Sequence, residues 1–86
     1  MSRQAKTPAL YAAMYYVYIL KLERNNEFYI GCTKDLVKRI KQHKSKNKFQ
    51  IVYYESYSLE KLARSRERKL KYYGSAWRAL KKRIIA

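Results

Sequence analysis

The sequence predicts a small α+β domain, a three-stranded antiparallel sheet flanked by three helices in the order β-β-α-β-α-α. Three observations carry that expectation. Tyr15–Leu22 and Phe49–Tyr57 are rich in aromatic and β-branched residues, the composition of strands. A polar stretch, "ERNNE" (Glu23–Glu27), separates the first of them from a third short aromatic run. The remaining apolar residues recur three and four apart among basic ones, as on helices that cover one face of a sheet.

Taken in order, Tyr15–Leu22 is the first strand, and Asn25-Asn26 supplies residues that tolerate positive φ in a turn. Glu27 to Gly31 reads as the return strand of a hairpin. Thr33 or Asp35 can cap a helix whose apolar positions Leu36 and Ile40 lie four apart, with Val37 alongside. "HKSKNK" (His43–Lys48) ends that helix in a polar loop, and Phe49–Tyr57 is the third strand. Ser58 is expected to cap the second helix, with Leu59, Leu62, Ala63 and Leu70 as its apolar stripe. Gly74 is placed as the residue after that helix, and Ser75 as the cap of a last one carrying Trp77, Leu80 and Ile84 on one face.

Composition narrows the class. Eighty-six residues make one domain, which buries only about 60–65% of its unfolded surface. An apolar content of 48% with ten tyrosines argues for a folded domain rather than a disordered basic tail. Residues 14–86 form this domain, and residues 1–13 are expected to be a flexible N-terminal extension. The lone Cys32 cannot make an internal disulfide, so a reducing, cytoplasmic setting is expected. "ALYAAMYYVYIL" (Ala9–Leu20) superficially resembles a signal-peptide core. It is too short to span a bilayer and is followed by "KLER" rather than a small-residue cleavage site.

Twenty-one Lys+Arg against six Asp+Glu leave a net charge of +15. Such a charge on one small domain is best offset by a polyanion, and nucleic acid leads. A membrane surface is disfavoured, because the basic residues are spread over several elements instead of one amphipathic helix.

Several chemistry-bearing side chains then fall into register. Across a hairpin with an even loop, Tyr18 and Tyr29 share one face of the sheet. Arg39 and His43 are i, i+4 on one flank of the first helix. Gly31 precedes the turn into that helix, where either positive φ or a close backbone approach calls for glycine. Glu67 lies at the edge of the second helix's apolar stripe among Arg64, Arg66, Arg68, Lys69 and Lys71. A carboxylate there either neutralises repulsion or binds a metal ion.

The chain resembles the GIY-YIG nuclease superfamily through "YVY" (Tyr16–Tyr18), ten intervening residues and "YIG" (Tyr29–Gly31). A helix with Arg39 and His43, and a later one with Glu67, complete the pattern. Within the superfamily it is most similar to short single-domain members related to the N-terminal nuclease module of the bacterial excinuclease. The likeness spans Met14 to Ile84. It departs at Tyr16, where the first motif carries glycine, and the family's later polar residue, often asparagine, has no clear counterpart.

The resemblance implies metal-dependent hydrolysis of DNA phosphodiesters with little sequence specificity, in repair or recombination. Glu67 matches the metal-binding carboxylate, for one Mg²⁺ or Mn²⁺. Tyr18 matches the tyrosine that helps activate water, a role for which neighbouring positive charge must lower its pKa from ~10. Arg39 matches the arginine that stabilises phosphate charge. Tyr29 and His43 match the remaining hydrogen-bonding positions, with His43 able to position water or accept a proton.

Ordinary structural uses stand beside each of these roles. Arg39 can pair with Asp35, Glu67 with Lys71, and His43 can be a solvated residue at a helix C-terminus. The rival function is a catalytically inactive module of the same fold that binds nucleic acid, including structured RNA, through basic charge and exposed tyrosines. A third is a component that takes its specificity from a partner protein.

Overall fold

A computed structural model describes residues 14–84 of the chain, so the expected extension at residues 1–13 lies outside the described residues. Strands β1 (Tyr15–Leu22), β2 (Phe28–Thr33) and β3 (Phe49–Tyr57) and helices α1 (Leu36–Lys44), α2 (Glu60–Tyr72) and α3 (Gly74–Ile84) follow the expected β-β-α-β-α-α order. The sheet is antiparallel with β1 in the centre, in the order β2-β1-β3. The bounds of β1 and β3 coincide with the aromatic runs of the sequence. β2 starts one residue later than expected and continues two further, through Cys32 and Thr33.

The hairpin between β1 and β2 closes as its asparagines suggest. The Asn26 amide donates to the Leu22 carbonyl at 3.0 Å, and Asn26 takes φ 59°. Four residues separate Leu22 from Glu27, an even loop, so Tyr18 faces Gly31 directly and Tyr29 faces Leu20. Along β3, one residue (Val52) has no partner on β1 where the register shifts between Ile19 and Leu20.

Alternation gives the sheet two different faces. Val17 and Ile19 point to one side, where they form the core with Ala63 and Leu70 of α2 and Leu80 of α3. Trp77 packs edge-to-face on Phe28 with centroids 5.3 Å apart, and the Lys81 ammonium lies 5.6 Å from the same ring. Tyr18 and Leu20, also fully buried, point to the other side. That side receives α1, none of whose residues is buried. Asp35 caps α1 by accepting from the Lys38 amide at 3.0 Å, while the Thr33 hydroxyl accepts from the Asp35 amide.

Four expectations about the later helices fail for local reasons. Ser58 does not cap α2: Leu59 holds that position, in extended conformation and without a side-chain cap. Leu59 and Leu62 are not in the buried stripe but 50% and 45% exposed. Leu59 precedes the helix, and Leu62 lies about 100° from Ala63 around it, at the solvent margin of the Ala63–Leu70 seam. Gly74 is not a left-handed residue beyond α2, since no glycine has positive φ. Instead the extended Tyr73 closes one helix and opens the next, its amide donating to Lys69 and its carbonyl accepting from Ala76. Gly74 therefore begins α3, and Ser75 lies inside it. The last helix does present Leu80, Trp77 and Ile84 to the core.

Candidate active site

Glycine at position 31 builds the site. A Cβ placed there would lie 2.4 Å from both Cζ and Oη of Tyr18. The phenol of the central strand therefore extends over the backbone of β2, through space that any other side chain would fill. The requirement is close approach, since Gly31 has ordinary φ. Because β2 is an edge strand, this carries the hydroxyl of a fully buried residue toward the margin of the sheet.

Three rings meet there. Tyr18 and Tyr29 lie 6.1 Å apart by centroids, and His43 of α1 packs edge-on against them at 5.8 and 4.9 Å. Tyr18 Oη and His43 Nε2 are 3.0 Å apart. Burial first, and then the Tyr29 phenol, push the Tyr18 hydroxyl well above its ordinary range, and the opposing pull of Arg39 is weaker. Burial, with Arg39 and Lys46 nearby, moves His43 below its ordinary 6.5. A protonated phenol thus donates to a neutral imidazole. The positive charge expected to depress Tyr18 is present in Arg39 but is outweighed by desolvation.

Arg39 does not pair with Asp35 among the described residues. With Lys34 of the β2–α1 turn and Arg64 of α2, it lines a cavity of about 250 Å³ beside Cys32 and Thr33. Glu60 also lines this cavity and holds Arg64 Nε at 3.0 Å, both side chains being more than half exposed. Cys32 packs against the core, and burial raises its thiol, as for a small space-filling residue.

Glu67 approaches from the other face. On α2, Arg66 and Glu67 fall on opposite sides of the Ala63–Leu70 seam, about 100° apart. Glu67 leans toward β2, where its charge bears on Tyr18 and Cys32. Its carboxylate makes one ion pair, with Lys71 Nζ at 3.0 Å. No cluster of three His, Cys, Asp or Glu side chains exists among the described residues. A single carboxylate beside phenols suits a hard divalent ion that keeps water and phosphate oxygens as its other ligands. The Lys71 ammonium rests against one oxygen of this carboxylate, where a metal cation would have to displace it.

Sequence reasoning missed what Arg66 does. Its Nε donates to Glu55 at 2.8 Å, and that carboxylate also accepts from the Tyr53 and Tyr57 hydroxyls at 2.5 Å each. Burial opposes the Glu55 charge, but these donors outweigh it and hold the carboxyl below its ordinary value. The signal was available: Tyr53, Glu55 and Tyr57 alternate along one strand and share one face. The network docks α2 on β3 one residue before Glu67.

The family model of the GIY-YIG catalytic domain matches residues 14–71, which carry every one of these side chains. The chain belongs to the GIY-YIG family, whose members are nucleases that generally depend on a divalent metal, and membership implies DNA as substrate. No curated protein and no solved structure matches the chain. No helix among the described residues is long and apolar enough to cross a membrane.

Proposed function

We propose that this protein is a divalent-metal-dependent endonuclease that hydrolyses DNA phosphodiester bonds with little sequence specificity, acting on structured DNA in repair or recombination. The observation that carries the reading is the phenol–imidazole contact of Tyr18 and His43, set over Gly31 beside Arg39 and Glu67. A buried phenol raised well above neutrality is a poor free base. Handing its own proton to a neutral His43 as it takes one from water, it can nevertheless relay charge. Tyr29 borders this pair and can orient the same water. Arg39, with Lys34 and Arg64 around one cavity, neutralises the phosphate. Glu67 would hold Mg²⁺ or Mn²⁺, which when bound supplies Lewis-acid stabilisation of the leaving oxygen. Phosphate contacts of this kind position a strand without reading its sequence.

The test is nicking of supercoiled plasmid and of branched DNA with Mg²⁺ or Mn²⁺, wild type against Glu67→Ala. Metal-dependent cleavage that the variant loses supports the reading. Tight binding with no cleavage by either protein would replace it with a nucleic-acid-binding module of the same fold.

A further inference from the structure

The α1 side of the sheet carries aromatic surface that hydrolysis leaves without a use. Tyr54 stands on β3 directly across from the buried Tyr18, yet it is 58% exposed. Its ring packs edge-to-face on Tyr16 with centroids 6.3 Å apart. The two rings, with Leu36 and Val37 from the first turn of α1, line a cavity of about 320 Å³. Lys34 and Asp35 complete its wall. Asp35 Oδ1 is engaged with the Lys38 amide, so a ligand meets two phenol rings, aliphatic carbon, one ammonium and the other oxygen of the Asp35 carboxylate. Lys34 also lines the cationic cavity of Arg39 and Arg64. One lysine joins a pocket for phosphate to a pocket for an aromatic face.

We propose that the Tyr16–Tyr54 pocket stacks an unpaired nucleobase of the DNA strand whose phosphate lies against Lys34, Arg39 and Arg64. This rests on the nuclease reading, which puts a phosphate at Arg39. The net charge of +15 favours a polyanionic strand over an apolar peptide as the occupant. Stacking on tyrosine accepts any base, because every base offers a π-face. A base inside a duplex is stacked on both sides and cannot enter. The pocket therefore selects DNA with a single-stranded segment next to the bond to be cut, and this gives the domain a preference for structure.

The experiment is fluorescence anisotropy of the full chain with labelled DNA in EDTA, which removes cleavage from the readout. A duplex carrying a single-stranded flap is compared with a blunt duplex, for wild type, Tyr54→Ala and Tyr54→Trp. Tyr54→Ala is expected to weaken flap binding by roughly five- to a hundredfold, to leave blunt-duplex binding unchanged and to keep the salt slope. Tyr54→Trp retains affinity. Replacing the unpaired bases at the flap junction one at a time by abasic sites is expected, at one position, to weaken wild type by the same factor and Tyr54→Ala no further.

Equal weakening on both DNAs, or none on either, overturns the proposal, and the second outcome leaves the patch to a protein partner. Absence of DNA binding by wild type overturns it as well. Failure of the nuclease reading looks different: stacking persists in EDTA, but added Mg²⁺ or Mn²⁺ produces no cleavage.

Discussion

The two edges of the sheet each set a carboxylate against tyrosines and basic residues, and they use it in opposite ways. At the β3 edge, Glu55 accepts from two phenols and Arg66, with its side chain only 16% exposed. Three donors converge on the group and occupy most of its acceptor positions. At the β2 edge, Glu67 is as little exposed, at 18%, but has a single lysine partner that is itself 40% exposed. Nearby, a phenol and an imidazole share one contact with both pKa values displaced. Three converging hydrogen bonds fix a helix to a sheet, whereas a carboxylate with one replaceable partner can accept a cation. Arg66 and Glu67 are consecutive, so the network at one edge sets the rotation of α2 that aims the carboxylate at the other.

Exchanging each carboxylate for its amide should separate the two edges most sharply. Glu67→Gln is expected to lower metal-dependent cleavage by on the order of 100- to 1000-fold while leaving the unfolding midpoint nearly unchanged. Glu55→Gln should do the reverse, costing about 1–3 kcal/mol in denaturant unfolding as the charge is lost and one of the two acceptor oxygens shared by Arg66 and the phenols becomes a donor. Cleavage per folded molecule then falls only so far as α2 turns. A cleavage loss in Glu55→Gln as deep as that in Glu67→Gln would erase the distinction.

Gly31→Ala comes next. The new Cβ would meet a fully buried, hydrogen-bonded phenol at 2.4 Å, so thermal unfolding should show a loss of about 1–3 kcal/mol. Cleavage should fall further than stability explains.

Acid should distinguish the edges without mutation. His43 is held below 6.5, so the unfolded chain takes up its proton first. Its contribution to stability is complete above pH 6.5 and is lost as pH falls through the lower folded value, where cleavage should decline too. Glu55 is held below 4.5. Its contribution is complete above that value and is lost below it, so the stability gap between wild type and Glu55→Gln should close only in stronger acid. Unfolding and cleavage followed from pH 8 to pH 3 check both. The smallest effect belongs to Lys71→Met: at most about 0.5 kcal/mol of stability, with half-maximal cleavage at a lower metal concentration because the ammonium no longer competes.

Much of the molecule was legible in its residues alone. Aromatic and β-branched runs delimited β1 and β3, and Asn26 took the positive φ its side chain tolerates. Parity across an even loop put Tyr18 and Tyr29 on one face. Where reading failed, neighbours in space decided. Leu59 and Leu62 have apolar spacing, but the start of α2 at Glu60 and its seam along Ala63 and Leu70 turn them to solvent. Gly74 has the composition of a helix-ending residue, yet the Tyr73 backbone joins two helices and leaves it no such task.

The sequence by itself determined the order of elements, the alternation of the strands and the family to which the residues belong. These rest on local preference and on side-chain period, which act over a few residues. Only the tertiary structure decided that Gly31 makes room for the Tyr18 phenol, that burial outweighs Arg39 in setting its proton affinity, and that Arg66 docks on Glu55 while Glu67 keeps a single lysine partner. Those outcomes depend on which groups exclude water from which others, and desolvation is a property of the packed chain rather than of any segment.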